Sequence, residues 1–238
     1  ELDKKDLPAI VNPVFGQGSI REQQKVLGVL GEMSLDKTEE VLGQMISKAK
    51  AKKLSSAVIL DLVEADEVSG SEDLIAKLGE LKSTGNTIDA FKETLEGGEW
   101  WEGKTFFENN SAGQCVRCHA VGGAGGIVGP ALDNIGNVLS REQLLEALIA
   151  PSARLAPGYG TVTVTFKNGQ VATGVLMEET DHELILRTTD AEPMEIAKER
   201  IKSVENSMSS MPPMGTTMSK REIRDVIEYL ANLKKPTS

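Results

Sequence analysis

The chain has 238 residues, of which 39% are hydrophobic and only 4% aromatic, and its formal net charge is −10 at pH 7. This length predicts more than one domain, and the acidic excess argues against a nucleic-acid partner because phosphate contacts need a basic surface. A docking partner is instead expected to present a basic patch. No stretch approaches the roughly twenty apolar residues that span a bilayer, so the chain as given is not expected to be transmembrane.

The first part of the chain predicts consecutive short amphipathic helices, from residue 19 to about 95, separated by Gly, Ser and Asp. Ser19 and Glu22 have the spacing of a capping box, and Ser71 is a candidate cap further along. Paired helices of this length resemble HEAT repeats, although they show no strict period. Residues 1–96 are therefore predicted to form a HEAT-like helical domain.

Two further helices are predicted, one near the middle of the chain and one at its C-terminal end. The segment "EGGEWWEGKTFFE" places Gly103 one helical turn before Phe107. The final segment, "SKREIRDVIEYLANLKK", begins with a second capping box, Ser219 with Glu222. A small residue opposite an aromatic one is what two helices need to cross closely.

The segment "CVRCH" contains both cysteines of the chain, Cys115 and Cys118, followed directly by His119. A redox dithiol should lie where a strand enters a helix, but a helix and a polar loop are predicted before this segment. A closed zinc site would need four ligands, including the distant His182. A structural disulfide would leave the histidine unused. In a haem attachment site each thiol binds one vinyl group and the histidine ligates the iron, so every residue has a role.

Two short segments after His119 bear on this site. A histidine that ligates a metal normally donates its other ring N–H to a carbonyl or carboxylate group. The Gly129-Pro130 pair resembles the cytochrome c loop in which a proline carbonyl accepts that bond, and a plain turn is the alternative. The glycines of residues 122–126 lack the context of a phosphate loop, so we expect a flexible loop there.

Residues 158–206 change to a two-residue period and predict four or five short strands. Asn168-Gly169 is a strong signal for a hairpin turn. This number of strands in about forty-five residues suggests a small barrel of SH3-like or Sm-like shape that interrupts the haem unit. The alternating apolar positions of its first strand are Val162, Val164 and Phe166.

The second axial ligand of the iron is sought among His182 and four methionines. His182 lies in a polar turn between predicted strands and is expected to be exposed. Pro212 and Pro213 remove amide donors and force the methionine segment into a loop, where Met211 is held extended. Met211 is preferred over Met214, although a slip of three residues stays open. The methionines are Met208, Met211, Met214 and Met218.

In order, the segments "GKTFF", "CVRCH", "GGIVGPALDNIG", "APGYGTVTVTFKNGQVATGVL", "SSMPPM" and "REIRDVIEYL" resemble the Pirellula/Verrucomicrobium haem-binding domain, a c-type cytochrome domain of planctomycetes. The resemblance implies a class I cytochrome c core with an inserted β-domain, preceded by HEAT-like helices. It implies one covalent haem c, held by Cys115, Cys118, His119 and Met211 with Pro130 nearby. The implied domains are 1–96 (HEAT-like helices), 97–157 (haem-attachment half), 158–206 (inserted barrel) and 207–238 (distal methionine loop and last helix).

Two functions follow from these expectations. In the first, a His/Met-ligated haem carries single electrons to a redox partner protein, and the chain is not itself an enzyme. In the second, the distal ligand is labile and the chain is a peroxidase-like enzyme or a gas sensor, for which His182 would be the distal acid or base. The resemblance also implies a periplasmic or otherwise exported location and the C-terminal part of a larger redox protein. The sequence does not give the oligomeric state.

Overall fold

The computed structural model describes residues 4–79, 87–188 and 192–234. About half of the chain is helical, and a five-stranded antiparallel sheet interrupts the helices. The helices of the described part are α1 (Leu7–Gln17), α2 (Ile20–Glu32), α3 (Leu35–Lys50), α4 (Ile59–Ser69), α5 (Glu72–Gly79), α6 (Trp100–Asn109), α7 (Cys115–Cys118), α8 (Ile135–Val138), α9 (Arg141–Ile149) and α10 (Lys220–Ala231). Its strands are β1 (Ala120–Val121), β2 (Ala124–Gly125), β3 (Thr161–Phe166), β4 (Val171–Glu179), β5 (Glu183–Arg187), β6 (Met194–Ala197) and β7 (Ile201–Asn206). Short 3-10 helices lie at Ser56–Val58, Asp89–Thr94, Lys198–Arg200 and Met214–Thr216.

The described residues form two compact units. The first contains those within Glu1–Lys104 and Ser219–Asn232, and the second contains those within Thr105–Met218 and Leu233–Ser238. The last helix therefore packs with the N-terminal helices in the first unit. This grouping by packing does not test whether the four predicted domains fold separately, so their boundaries stay a prediction.

Helices α1 to α5 bury a continuous apolar core within the first unit. Helix α2 begins with the predicted capping box, in which Ser19 accepts from the Glu22 amide and the Glu22 side chain accepts in return. Helices α2 and α4 cross closely, since a Cβ at Gly31 would lie 2.8 Å from the Cα of Ala65. The largest fully buried side chains of this core include Leu7, Leu27, Leu42, Met45, Ile46, Leu74 and Leu78.

The start of α6 packs against α10, as the glycine and aromatic pattern predicts. Gly103 is buried, and a Cβ there would meet the backbone oxygen of Asp225 and lie 2.9 Å from the Cβ of Tyr229. The ring of Trp100 meets that of Tyr229 edge to face, with centroids 5.5 Å apart. The capping box of Ser219 and Glu222 at the start of α10 is confirmed.

A buried ion pair also joins α10 to α4. The Arg224 guanidinium donates to an Asp61 carboxylate oxygen at 2.7 Å, and these side chains are 4% and 1% exposed. Arg221 lies 3.3 Å from the other Asp61 oxygen. Because an unpaired charge in such a place would cost several kcal/mol, about 3–5, the pairing specifies how α10 sits on α4.

The five-stranded sheet has the order β6-β5-β4-β3-β7. The predicted turn is confirmed, since β3 and β4 are joined through Asn168 and Gly169, and Gly169 has a φ of 87°. The last strand returns to pair with the first, and Val164 lies opposite Val204. The closed SH3-like or Sm-like shape stays a prediction. One face of the sheet is buried through Val162, Val164, Phe166, Leu176, Leu184, Leu186 and Ile196.

Two of the longer helices, α1 and α9, and the single turns α7 and α8 lie outside the sequence predictions. Helix α1 contains Pro13 in its interior, which argues against a helix when the sequence is considered alone. Helix α9 begins with a third capping box, Ser140 with Gln143, and contacts the Met214–Thr216 turn. Within the described ranges, no helix combines the length and the apolar character needed to cross a membrane.

Candidate haem site

Cys115 and Cys118 lie on the single helical turn of α7, and His119 ends that turn. The His119 backbone N–H donates to the Cys115 carbonyl oxygen at 2.9 Å, which fixes the histidine directly after the turn. Gln114 precedes the turn with a φ of 48°, a left-handed conformation that few residues other than glycine adopt. Both thiols are free, with Cys115 partly buried and Cys118 exposed.

The alternatives to haem attachment find little support in this geometry. Desolvation raises the pKa of the Cys115 thiol to about 11. A reactive dithiol needs a lowered thiol pKa, so Cys115 does not have the environment of a redox nucleophile. Among the described residues, no three His, Cys, Asp or Glu side chains gather to hold a metal ion as a zinc site would require.

The His119 imidazole is held by the backbone of Pro130. Its Nδ1 lies 2.8 Å from the Pro130 carbonyl oxygen. Because a carbonyl oxygen only accepts hydrogen bonds, Nδ1 carries a proton, and in the neutral imidazole the lone pair is then on Nε2. This is the arrangement in which a histidine ligates a metal through Nε2.

Glycines leave the space that the attachment turn and its histidine occupy. A Cβ at Gly129 would lie 2.5 Å from Cε1 of the His119 ring, so a side chain there would displace the imidazole. A Cβ at Gly125 would collide with the carbonyl oxygen of His119, and a Cβ at Gly126 would collide with that of Arg117. The sequence analysis missed these two roles, for which the only signal is the run of glycines directly after the histidine.

The glycine-rich segment forms a small hairpin instead of the expected flexible loop. Strands β1 and β2 pair around Gly122 and Gly123, whose φ values are 62° and 79°. Positive φ at both central residues is the requirement of a tight two-residue hairpin turn, which explains the glycines. The Gly122 N–H also donates to the Asp133 carboxylate at 2.9 Å.

Two large apolar side chains follow on this segment and are mainly exposed. Ile127 is 90% exposed and Val128 is 62% exposed. Burial of such apolar surface against a prosthetic group or a partner protein is favourable.

The four methionines differ in their surroundings. Met208 is 91% exposed, whereas Met214 and Met218 are 3% and 5% exposed within the protein core. Met211 lies between these extremes, half-buried on a segment without regular structure, and its N–H donates to the Ser209 hydroxyl at 3.1 Å. His182 is exposed in the turn between β4 and β5.

The residues present fit a haem c group. Two free thiols share one turn, a histidine with a fixed tautomer ends it, and Gly129 keeps open the space for the imidazole. The structure thus brings together four of the five predicted site residues: Cys115, Cys118, His119 and Pro130. The fifth, Met211, lies in the same compact unit.

Comparison with known proteins bears on the same part of the chain. Residues 101–192 match the protein family described as cytochrome c. This match supports a c-type cytochrome haem-binding domain with an electron-transfer role and implies covalently bound haem c. It spans the attachment turn and much of the sheet and ends before Met211. A search of curated proteins gave no match.

Proposed function

We propose that this chain is a mono-haem c-type cytochrome that carries single electrons, with Cys115 and Cys118 as the attachment residues. His119 and Met211 would be the residues that ligate the iron. The observation that carries the proposal is the bond of 2.8 Å between the His119 ring and the Pro130 carbonyl, directly after a turn with two free thiols. When bound, haem c supplies a reversible one-electron iron couple.

The chain's own residues orient and protect the ligand atoms. Pro130 holds the proton on Nδ1 of His119 and fixes the plane of the ring, so that Nε2 is aimed without further loss of freedom. Gly129 permits this packing because it adds no side chain against the imidazole. Each thiol is available for one thioether bond to a vinyl group.

The burial of the methionines supports Met211 as the distal ligand. Met214 is packed in the protein core and Met208 lies in solvent, so the first side chain is already held by other contacts and the second is not held in place. Met211 is half-buried, and Pro212 restricts its backbone to an extended conformation. The methionine sulfur would raise the reduction potential of the iron.

The proposal also includes the domains beside the cytochrome core, the location of the protein and its partner. The resemblance to the planctomycete-type domain supports a HEAT-like region before the cytochrome, an SH3-like inserted barrel and an exported location. The net charge of −10 supports a redox partner with a basic docking surface.

An optical spectrum of the reduced protein, recorded with and without carbon monoxide, tests this function. A stable His/Met-ligated electron carrier should show the same spectrum in both samples. The His182→Ala variant should behave in the same way, because His182 is exposed on the sheet hairpin. Ready binding of carbon monoxide by the unmodified protein would instead support a haem enzyme or a gas sensor.

A further inference from the structure

The segment that leads from the inserted sheet to Met211 is tied to the turn after α9. Asn206, the last residue of β7, donates from its side-chain amide to the carbonyl oxygens of Ser152 and Ala153, at 3.2 and 2.9 Å. The end of β7 is therefore held at a fixed position relative to the turn that precedes the sheet in the chain.

The same anchor extends to the methionine itself. The Ser209 N–H donates to the Ser152 hydroxyl at 3.0 Å, and the Met211 N–H donates to the Ser209 hydroxyl at 3.1 Å. All three residues are half-buried. These hydrogen bonds are therefore partly shielded from water, and they form a relay from Ser152, in the turn after α9, to the backbone of Met211.

Two further hydrogen bonds join the start of β3 to the residue that follows β7. The Ser207 N–H donates to the Thr161 carbonyl oxygen at 2.9 Å, and the Thr161 N–H donates to the Ser207 hydroxyl at 3.3 Å. The first residue of β3 and the first residue after β7 are thus held together. The distal segment leaves the sheet from a site with little freedom to move.

We propose that Ser209 and Ser152 are positioning residues for the distal ligand and that the inserted sheet holds one end of this relay. The inference rests on the proposed ligation by Met211. Pro212 restricts Met211 from one side, and the Ser209 hydroxyl fixes its amide from the other. A backbone that is already ordered loses little conformational entropy when its side chain binds, so the Met211 sulfur would be the more tightly held as a ligand of the iron.

Imidazole binding to the ferric holoprotein provides the test, because imidazole must displace Met211 to reach the iron. Ser209→Ala removes the acceptor of the Met211 N–H and should increase the apparent imidazole affinity by about two- to tenfold, the range expected for one hydrogen bond. Ser209→Thr keeps the hydroxyl and should retain the affinity of the unmodified protein. Ser210→Ala is the matched control, because Ser210 is the exposed neighbour of Ser209 and is not part of the relay.

The outcomes separate this inference from the proposed function. If Ser209→Ala binds imidazole as Ser210→Ala does, while Met211→Ala loses the far-red sulfur-to-iron band, the positioning role is wrong and the ligation stands. If Met211→Ala keeps that band, the proposed ligand itself is wrong. Should Ser209→Ala fail to fold, Ser152→Ala interrupts the relay one step earlier, and an unchanged imidazole affinity in that variant would overturn the inference.

Discussion

At the scale of single residues, the site depends on groups that act on His119. The sequence pattern predicts the role of the two thiols and the histidine in haem attachment. The resemblance to cytochrome c points to Pro130 as the hydrogen-bond acceptor. The structure adds the reason for Gly129, whose missing side chain is the space beside the imidazole. That reason could not be predicted from spacing alone, because it depends on how the chain folds back on the attachment turn.

The choice of distal ligand gives the first prediction. Met211→Ala should abolish the far-red sulfur-to-iron absorption band and lower the reduction potential, because the methionine sulfur is the ligand that raises it. Met214→Ala should leave both unchanged and instead lower the unfolding free energy by about 2–5 kcal/mol, because Met214 is 3% exposed. Absorption spectroscopy, redox titration and denaturant unfolding measure these effects. The reverse pattern of spectra in the two variants would assign the ligand to Met214.

At the scale of elements, local sequence signals predict where helices start and where hairpins turn, but they do not predict which strands pair. The capping boxes before α2 and α10 and the Asn168-Gly169 turn are all confirmed. The same signal was present before α9 in Ser140 and Gln143, where the sequence analysis made no prediction. The return of β7 to β3 has no local signal, because the two strands are separated by the rest of the sheet.

The crossing of α6 and α10 gives a second prediction. Gly103→Ala should lower the unfolding free energy by about 2 kcal/mol or more, because the added Cβ meets the backbone of α10, which does not move easily. Gly28→Ala in α2 is the control, since apart from the adjacent residues and the nearby backbone of its own helix no heavy atom lies within 4 Å of its Cβ position. That control should stabilise by about 0.5–1 kcal/mol through helix propensity. Equal effects of the two variants in denaturant unfolding would show that the crossing is not tight.

Asp225 on α10 gives a prediction about pH. Desolvation raises the pKa of its carboxyl above 3.8, although the Glu99 N–H, which donates to it at 2.8 Å, and Arg224 oppose the shift. Between 3.8 and the raised value the folded state binds more protons than the unfolded state, so this group's contribution to stability is lost as pH rises through that window.

Asp225→Asn should therefore flatten the pH dependence of the unfolding free energy just above pH 3.8 and should not lower stability at pH 7. The amide oxygen of asparagine can still accept from Glu99. Denaturant unfolding at a series of pH values measures both effects. A large loss of stability at pH 7 would mean that the ionised carboxylate is itself stabilising.

At the scale of the whole molecule, distant parts of the chain meet in ways that composition does not predict. Asp61 and Arg224 are 163 residues apart and form a buried pair within the first compact unit. Neither residue stands out in the sequence, because each is one of several charged residues in an amphipathic helix. The packing of the last helix with the N-terminal helices therefore emerges only from the fold.

The net charge of −10 gives a prediction for the whole protein. The rate constant of electron transfer with a small basic redox protein should fall as ionic strength rises, because salt screens the attraction between the partners. Stopped-flow kinetics measure this dependence. The rate with an uncharged reductant serves as the control and should barely change. A rate with the basic partner that rises with salt would place the docking surface in a basic region.

The central claim is that haem is covalently bound through Cys115 and Cys118, and denaturing mass spectrometry tests it most directly. The protein should be produced in cells that attach c-type haem, together with a known c-type cytochrome as a positive control. We predict a polypeptide heavier by the mass of one haem, which stays attached after extraction with acidified acetone. A polypeptide without added mass, in cells where the control cytochrome carries its haem, would contradict the claim.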